Sequence, residues 1–385
     1  MIPPGLLGPP AGHDSGLWRR IQCIPSHLIT RKRRSRISPT RRKDDADEHS
    51  HTPVARRRLP WLRALATVAT VLLVVLLALM WWWDHEPRSL DVQHEAEARA
   101  KANSQPVVIG SVTTATLIAT VETLLDKRGG YISNDIMPPG VLMDNMPNWE
   151  FGALVASRDL ARALRNDFSR SQTQSIEDKD LQEVDTLLAT PNDRWVFRST
   201  ESQYRRATTH LYGYLARLAD ADQTNAQFFA RADNLSDYLQ TVSARLGSLS
   251  QRLSASVGQL RLDTNLAGDP SAEQSTPAPG ASVVKTPWTQ IDNVFYEARG
   301  YSWAMLQQLR AMERDFGSVL RDKNALISLR QVTRELEESL RDLDSPVVLN
   351  GRPFGFFANH SLVMANYISR ANAAIIDLRK LLDRG

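Results

Sequence analysis

The twenty residues from Ala64 to Trp83, ALATVATVLLVVLLALMWWW, contain no charged side chain. At ~1.5 Å of rise per residue, a helix of this length spans the ~30 Å hydrocarbon core of a bilayer. A buried helix of a soluble protein rarely stays this apolar on every face. The pattern predicts a transmembrane helix over residues 59–84. A cleaved signal sequence would have a shorter apolar core ending in small residues, whereas this one ends in Trp81, Trp82 and Trp83, rings that favour the headgroup region and anchor a helix end. Arg56, Arg57, Arg58 and Arg63 precede the span, and Asp84, Glu86 and Asp91 follow it with Arg88 as the one nearby exception. Arginine and lysine are retained on the cytoplasmic side, so these residues determine a topology with the N-terminus inside. The expected location is a bacterial inner membrane, with the main domain in the periplasm.

That span separates two chemically different regions. The net charge of +4 over 385 residues conceals 14 Lys/Arg against 5 Asp/Glu in residues 1–63, leaving the remainder at −5. Residues 1–58 carry clusters such as Arg31, Lys32, Arg33 and Arg34 among proline and glycine, which predicts a disordered basic cytoplasmic tail. Near anionic lipid each such cation contributes about 1 kcal/mol of attraction. Setting topology is the simpler role. The acidic balance of the domain removes the main argument for nucleic-acid binding. The single cysteine, Cys23, lies in the tail, so the large domain has no internal disulfide and no cysteine-based metal site.

Beyond the span, apolar residues recur at helical spacing. The charged stretch Asp91–Lys101 reads as an outward extension of the membrane helix. Leu117, Val121 and Leu124 mark a first domain helix, stopped by Gly129 and Gly130. Further helices are predicted from about Asn148 to Phe168, through Leu181, Val184 and Leu187, and from Glu201 to Leu218. The clearest seam is Leu235, Leu239, Val242, Leu246, Leu249 and Leu253, alternating steps of four and three between about Asn225 and Gln259. Such a seam packs on another helix, within a bundle or across a coiled-coil dimer. A Pro/Gly/Ser-rich linker at 263–286 then divides the domain into a first helical half, 85–262, and a second, 287–385. The second half carries runs through Ile291 to Val319, Leu326 to Leu343 and Leu362 to Leu382, the last two separated by DSPVVLNGRPFGFFANHS. No strand-like alternation competes, so the predicted class is all-α: one transmembrane helix followed by a large helical-bundle ectodomain.

Signatures of chemistry are sparse. Of eight histidines only His210 and His360 belong to the folded body, no HExxH pair occurs, and no phosphate-binding glycine pattern or G-x-S-x-G elbow is present. Ser282-Val-Val-Lys285 matches S-x-x-K in letters but sits in the linker. Neither a catalytic residue, a metal ligand nor a cofactor is assigned. Asp144, Glu150, Arg158 and Asp159 form a hydrolytic site only if the fold brings them into one pocket.

Unusual residues concentrate between Tyr131 and Asp178: SND, MPPG, MDNMPNWEFG, Arg158-Asp159, Arg165 and DFSRSQTQSIED, followed by Trp195 and the helix of Tyr204. In these phrases the chain resembles an uncharacterised bacterial family of single-pass inner-membrane proteins, domain of unknown function 2333. The resemblance runs from the membrane helix to the C-terminus. It implies this topology and an envelope location, and it supplies no activity. Within the stretch, Asp144, Asn145, Met146, Trp149, Phe151 and Arg158 are the candidate interaction residues, because Trp, Met and Arg are enriched at interface cores. Packing on the chain's own helices is the alternative reading of the same cluster, and Arg352, Phe354, Phe356 and Phe357 pose the same choice.

The expected function is a non-enzymatic interaction or assembly module, whose partners are the lipid bilayer and another envelope protein or a second copy. A periplasmic sensory or small-ligand-binding domain is the runner-up, and an envelope hydrolase without a recognisable motif comes third.

Overall fold

The computed structural model describes residues 60–171, 176–220, 225–261 and 282–384. The basic tail at 1–58, with Arg56, Arg57 and Arg58, and most of the 263–286 linker lie outside the described residues. Eleven helices are present among those described.

Helix α1 (Pro60–Trp83) opens with proline at its first position, where the missing N–H is no loss. It is long and apolar enough to cross a membrane, and none of its most apolar window is buried against the rest of the chain. A core helix of that composition would be mostly buried.

The expected outward extension of this helix does not occur. Pro87 lacks the N–H a continuing helix needs, and residues 85–90 run without helical structure to α2 (Val92–Ala102), capped by Asp91, whose carboxylate accepts from the His94 N–H at 3.1 Å. Helix α3 (Ser111–Asp126) returns toward α1. At its start, Asp315 accepts from both the N–H and the hydroxyl of Thr113 at 2.7 Å, so a cap comes from a residue 202 positions away. Burial pushes the Asp315 carboxyl above its ordinary range, and the bonds from Thr113 oppose that shift.

Helix α4 (Asn145–Ala163) starts slightly earlier than its periodicity predicts, with Pro147 in the first turn, and continues through a π-turn at Leu164–Phe168. Helices α5 (Lys179–Leu188) and α6 (Thr200–Leu218) pair as a hairpin beside α4 and α3. Helix α7 (Ala232–Ser254) begins later than expected, because the preceding residues serve other contacts: Gln227 O accepts from the Tyr214 hydroxyl at 2.7 Å, and Phe229 N–H bonds Phe168 O at 2.6 Å.

Two short strands, absent from the sequence expectation, follow. β1 (Gln259–Arg261) and β2 (Ser282–Val284) form an antiparallel ribbon, so Ser282 of the S-x-x-K match is in a strand. The second half then supplies α8 (Ile291–Asp315), α9 (Gly317–Asp322), α10 (Leu326–Ser339) and α11 (His360–Leu382).

The two helical halves share one core, with α8 at its centre, touching α2, α3, α4, α7, α10 and α11. The six residues of the α7 seam are all buried, facing chiefly α11. The seam is therefore a joint inside this bundle. Helices α4 and α8 run parallel, and α7 and α11 antiparallel: Trp149 meets Gly300 and Phe168 meets Phe316, whereas Ser236 bonds Asp383 and Ser250 lies against Ser369.

Candidate functional site at the α1 junction

The described residues contain no group of three His, Cys, Asp or Glu side chains placed to hold a metal ion. An extended polar construction lies where α1 meets the bundle. Three residues of α8 at successive turns, Arg299, Trp303 and Gln307, grip the segment that leaves α1. Arg299 forms a two-point ion pair with Glu86, at 2.5 and 2.9 Å. Trp303 donates its indole N–H to Arg88 O at 3.2 Å. The Gln307 carbonyl oxygen accepts from Leu90 N–H and the Ser89 hydroxyl at 3.3 and 3.2 Å. A spacing of four residues puts all three side chains on one helix face, so a segment laid along that face meets them in order.

The pairing is nearly dry, with the Arg299 side chain 6% exposed. Its guanidinium also donates to Leu340 O at 3.3 Å and Arg341 O at 2.9 Å, just beyond the C-terminus of α10, where backbone carbonyls lack helical partners. One planar cation thus joins α8, the end of α10 and the exit of α1. Lysine would present a point charge without this fork.

On the opposite side of the junction, Gly129 adopts φ +83°, and a Cβ there would lie 2.6 Å from the Trp83 ring. Only glycine meets both demands at this position. The neighbouring Arg128 guanidinium lies 4.6 Å from the centre of the Trp82 ring, within cation–π range. Asn145 donates to Asp84 at 3.4 Å.

The candidate interaction residues occupy distinct environments. Met146 and Trp149 are fully buried, with the Trp149 ring 5.1 Å from that of Trp303. Phe151 is half-buried, Asn145 lies at the α1 junction and Asp144 is exposed. Arg158 donates to Leu188 O at 2.6 Å and Thr190 O at 2.7 Å, closing the end of α5. Glu150 is buried, ion-paired with Lys127 at 2.6 Å, and accepts from the Ile132 and Ser133 N–H groups at 2.9 and 2.8 Å. Asp159 turns toward α7, accepting from Arg245 at 2.9 and 3.1 Å. Asp144, Glu150, Arg158 and Asp159 therefore do not converge. His210 is bonded to Asp180 at 2.9 Å on the face of α6.

Two cavities adjoin the junction. The larger, about 760 Å³, is lined by charged side chains that include the ion-paired Arg99, Glu95 and Glu122 together with Arg88 and Arg128. A second, about 410 Å³, lies among α8, α10 and α11, where Phe295, Leu343, Met364 and Tyr367 supply apolar wall, and Arg299, Arg341 and His360 supply polar groups. Burial lowers the His360 imidazole below its ordinary value.

The residues of this junction, from Glu86 through Arg299, fall within the span matched by one family, described as an uncharacterized protein conserved in bacteria (DUF2333), which covers residues 55–385. The chain belongs to this family. No curated protein and no solved structure matches it. Family membership covers α1 together with the whole bundle, so the junction is internal to the family's unit. Gly152, Arg299 and Gly300, which organise that unit, carry no periodic signal, and Gly129 reads in the sequence as a helix stop but not as a contact of Trp83. The one clue to the clamp was Glu86 beside Pro87, an acid placed immediately after an apolar span.

Proposed function

We propose that this chain is a membrane-anchored, non-enzymatic module of the bacterial cell envelope that assembles with another envelope protein or with a second copy. The observation that carries the reading is the α1 junction. Its buried charges are committed to holding the bundle against the exit of α1, with Arg299 bound to Glu86 and to two backbone carbonyls. A module that presents a surface at fixed height and angle above a bilayer needs such coupling. A hydrolase needs convergent polar groups, and Glu150, Arg158 and Asp159 are each engaged elsewhere.

In this reading α1 crosses the inner membrane once, the basic residues before it stay cytoplasmic and the bundle stands in the periplasm. A reporter active only in the cytoplasm, fused after Arg384, is expected to stay silent, and a strong signal would overturn the orientation. Because Trp149 is buried, partner capture belongs on exposed helix faces: a photocrosslinking residue at Ile327, and separately at Ile376, in the full-length protein in its own membrane. One discrete adduct, to another envelope protein or to the chain itself, is expected. Absence of any protein adduct from both positions counts against assembly.

A second reading is favoured by the cavity among α8, α10 and α11, which has the size and mixed lining of a small-ligand site. Arg299 lines it and also holds Glu86, so a ligand there would act on the α1 exit.

A further inference from the structure

Contacts along the helices define two ends of the bundle. The α1 end holds the start of α4, the start of α8 and the start of α11, since Asn145 reaches Asp84, Arg299 reaches Glu86, and the Phe295 ring lies 6.4 Å from that of His360. Four loops meet there. Residues 131–144 line a shared cleft with Met80 and Trp81 through Leu142 and Met143. Residues 190–199 are tied to that loop by Asn134, which donates to Arg194 O at 3.0 Å. The ribbon and residues 285–290 are fastened to the end of α7 by Thr286 N–H on Ala255 O at 3.0 Å. Residues 344–358 are joined to the same place by Asn350, which donates to Ser256 O at 3.3 Å.

Outside α1, the exposed Trp and Phe side chains among the described residues are Trp195, Phe197, Trp288, Phe354, Phe356 and Phe357, and all six lie on these loops. Phe197 is 92% exposed, Trp288 84% and Phe356 97%. Ile136, Met137, Val141 and Leu142 add exposed apolar side chains on the loop that touches α1. The opposite end exposes Val107, Ile109, Ile176 and Ile327, with no aromatic residue among them. Exposed cations share the α1 end: Arg194, Arg198, Lys285 and Arg352 on the same loops, and Arg128 against Trp82. Asp144, Asp193 and Asp344 are exposed there too, so the aromatic residues carry the argument more than the net charge does.

We infer that these four loops form a collar that rests in the headgroup layer of the bilayer around α1. The inference rests on the reading that α1 crosses a membrane. Met80 and Trp81 belong to the last turn of that span, so a loop packed against them stands at the depth where the span leaves the hydrocarbon. Aromatic rings and the long stems of arginine and lysine favour this boundary, with the ring or stem in the apolar zone and the charge among phosphates. In water the same side chains would form an exposed apolar face, which soluble surfaces rarely keep. The occupant is thus the lipid surface, continuous with the membrane contact of α1.

The test uses the full chain with Cys23→Ser and single cysteines at Phe197, Phe356, Leu73 and Ile327, each spin-labelled. The protein is reconstituted in bilayers of phosphatidylethanolamine and phosphatidylglycerol. Collision with oxygen relative to a water-soluble nickel chelate reports depth. The expected ratio at 197 and 356 is severalfold higher than at 327 and below that at 73. A label at 73 without hydrocarbon depth would refute the membrane span itself. Hydrocarbon depth at 73 with water-like ratios at 197 and 356 would refute the collar alone and leave that face to a protein partner. Phe354→Ser with Phe356 labelled gives a second measure, because a fully exposed ring can be removed without disturbing the core. The ratio at 356 should fall, and an unchanged ratio also counts against the collar.

Discussion

Helices α4 and α8 meet backbone to backbone, whereas α7 and α11 are held apart by a layer of leucines. At the first joint a Cβ on Gly300 would lie 1.9 Å from Trp149 O, and one on Gly152 would lie 2.0 Å from Glu297 O. At the second, Leu239, Leu246 and Leu253 fill the space, and the rim carries hydrogen bonds such as Ser243 to Asn372 at 2.7 Å. A leucine layer tolerates small adjustments because many contacts share the load. A glycine contact has no side chain to move, so the same perturbation must displace a helix. The contrast places the rigid axis of the molecule along α4 and α8, and the clamp on Glu86 is built at that axis, one residue from Gly300.

Substituting Gly300→Val is the strongest challenge to this contrast. Helix propensity alone would favour replacing a mid-helix glycine, by up to ~1 kcal/mol with alanine. The overlap with Trp149 O should reverse the sign and destabilise by about 4 kcal/mol or prevent folding, measured by chemical denaturation in detergent. A neutral result would show that the α4–α8 joint can open. Leu246→Ala in the seam should cost about 3 kcal/mol while preserving the fold, with the same denaturation as readout. A loss of self-association without loss of stability would instead assign the seam to an intermolecular contact.

Glu86→Gln separates the clamp from the axis. Arg299 keeps its carbonyl acceptors but loses its countercharge, so about 2 kcal/mol is expected. The accompanying readout is faster amide exchange at residues 86–90 with the α7–α11 pair unchanged. Exchange spread evenly over the bundle would deny that the junction is a separate element.

The smallest effect concerns Asp167, in the cleft between α4 and α7, whose carboxyl is pushed up to about 6 by burial and by the nearby Asp237, against the opposing Arg170. The folded carboxyl holds its proton more tightly than the unfolded one, near 3.8. This contribution to stability is therefore fully present below about pH 4, falls as pH rises to about 6 and stays low above it. Asp167→Asn should remove that slope and stabilise the protein at pH 7 by about 1 kcal/mol, less than the full shift converts to because the cleft admits solvent. A melting profile between pH 4 and 7 unchanged from the parent would show that the cleft does not raise the Asp167 carboxyl in the folded protein.

These two joints also differ in how they are written in the chain. Six apolar residues at steps of three and four announce the α7 seam, because a helix buried on one face must repeat at its own period. Asp178 and Asn359, capping α5 and α11 by accepting from backbone N–H groups, are similarly local. Gly152 and Gly300 are not periodic, and each has meaning only when the other helix lies against it. Trp149 was singled out for its residue type, yet its burial depends on Trp303 and Gly300, more than 150 positions away. The ribbon of β1 and β2 leaves no pattern in the sequence because three-residue strands are too short to show alternation.

By itself the sequence determined the apolar span, the helical class and most helix registers, since each follows from spacing within a few turns. Tertiary structure alone decided that the two halves share a core, that Asp315 caps α3 from the far end of α8, and that Arg299 holds Glu86. It also gathered six exposed aromatic residues from three of the four loops at the α1 end. The reason is physical: hydrogen bonding and burial within a helix are set by neighbours in the chain, whereas contacts between helices depend on which faces close packing brings together.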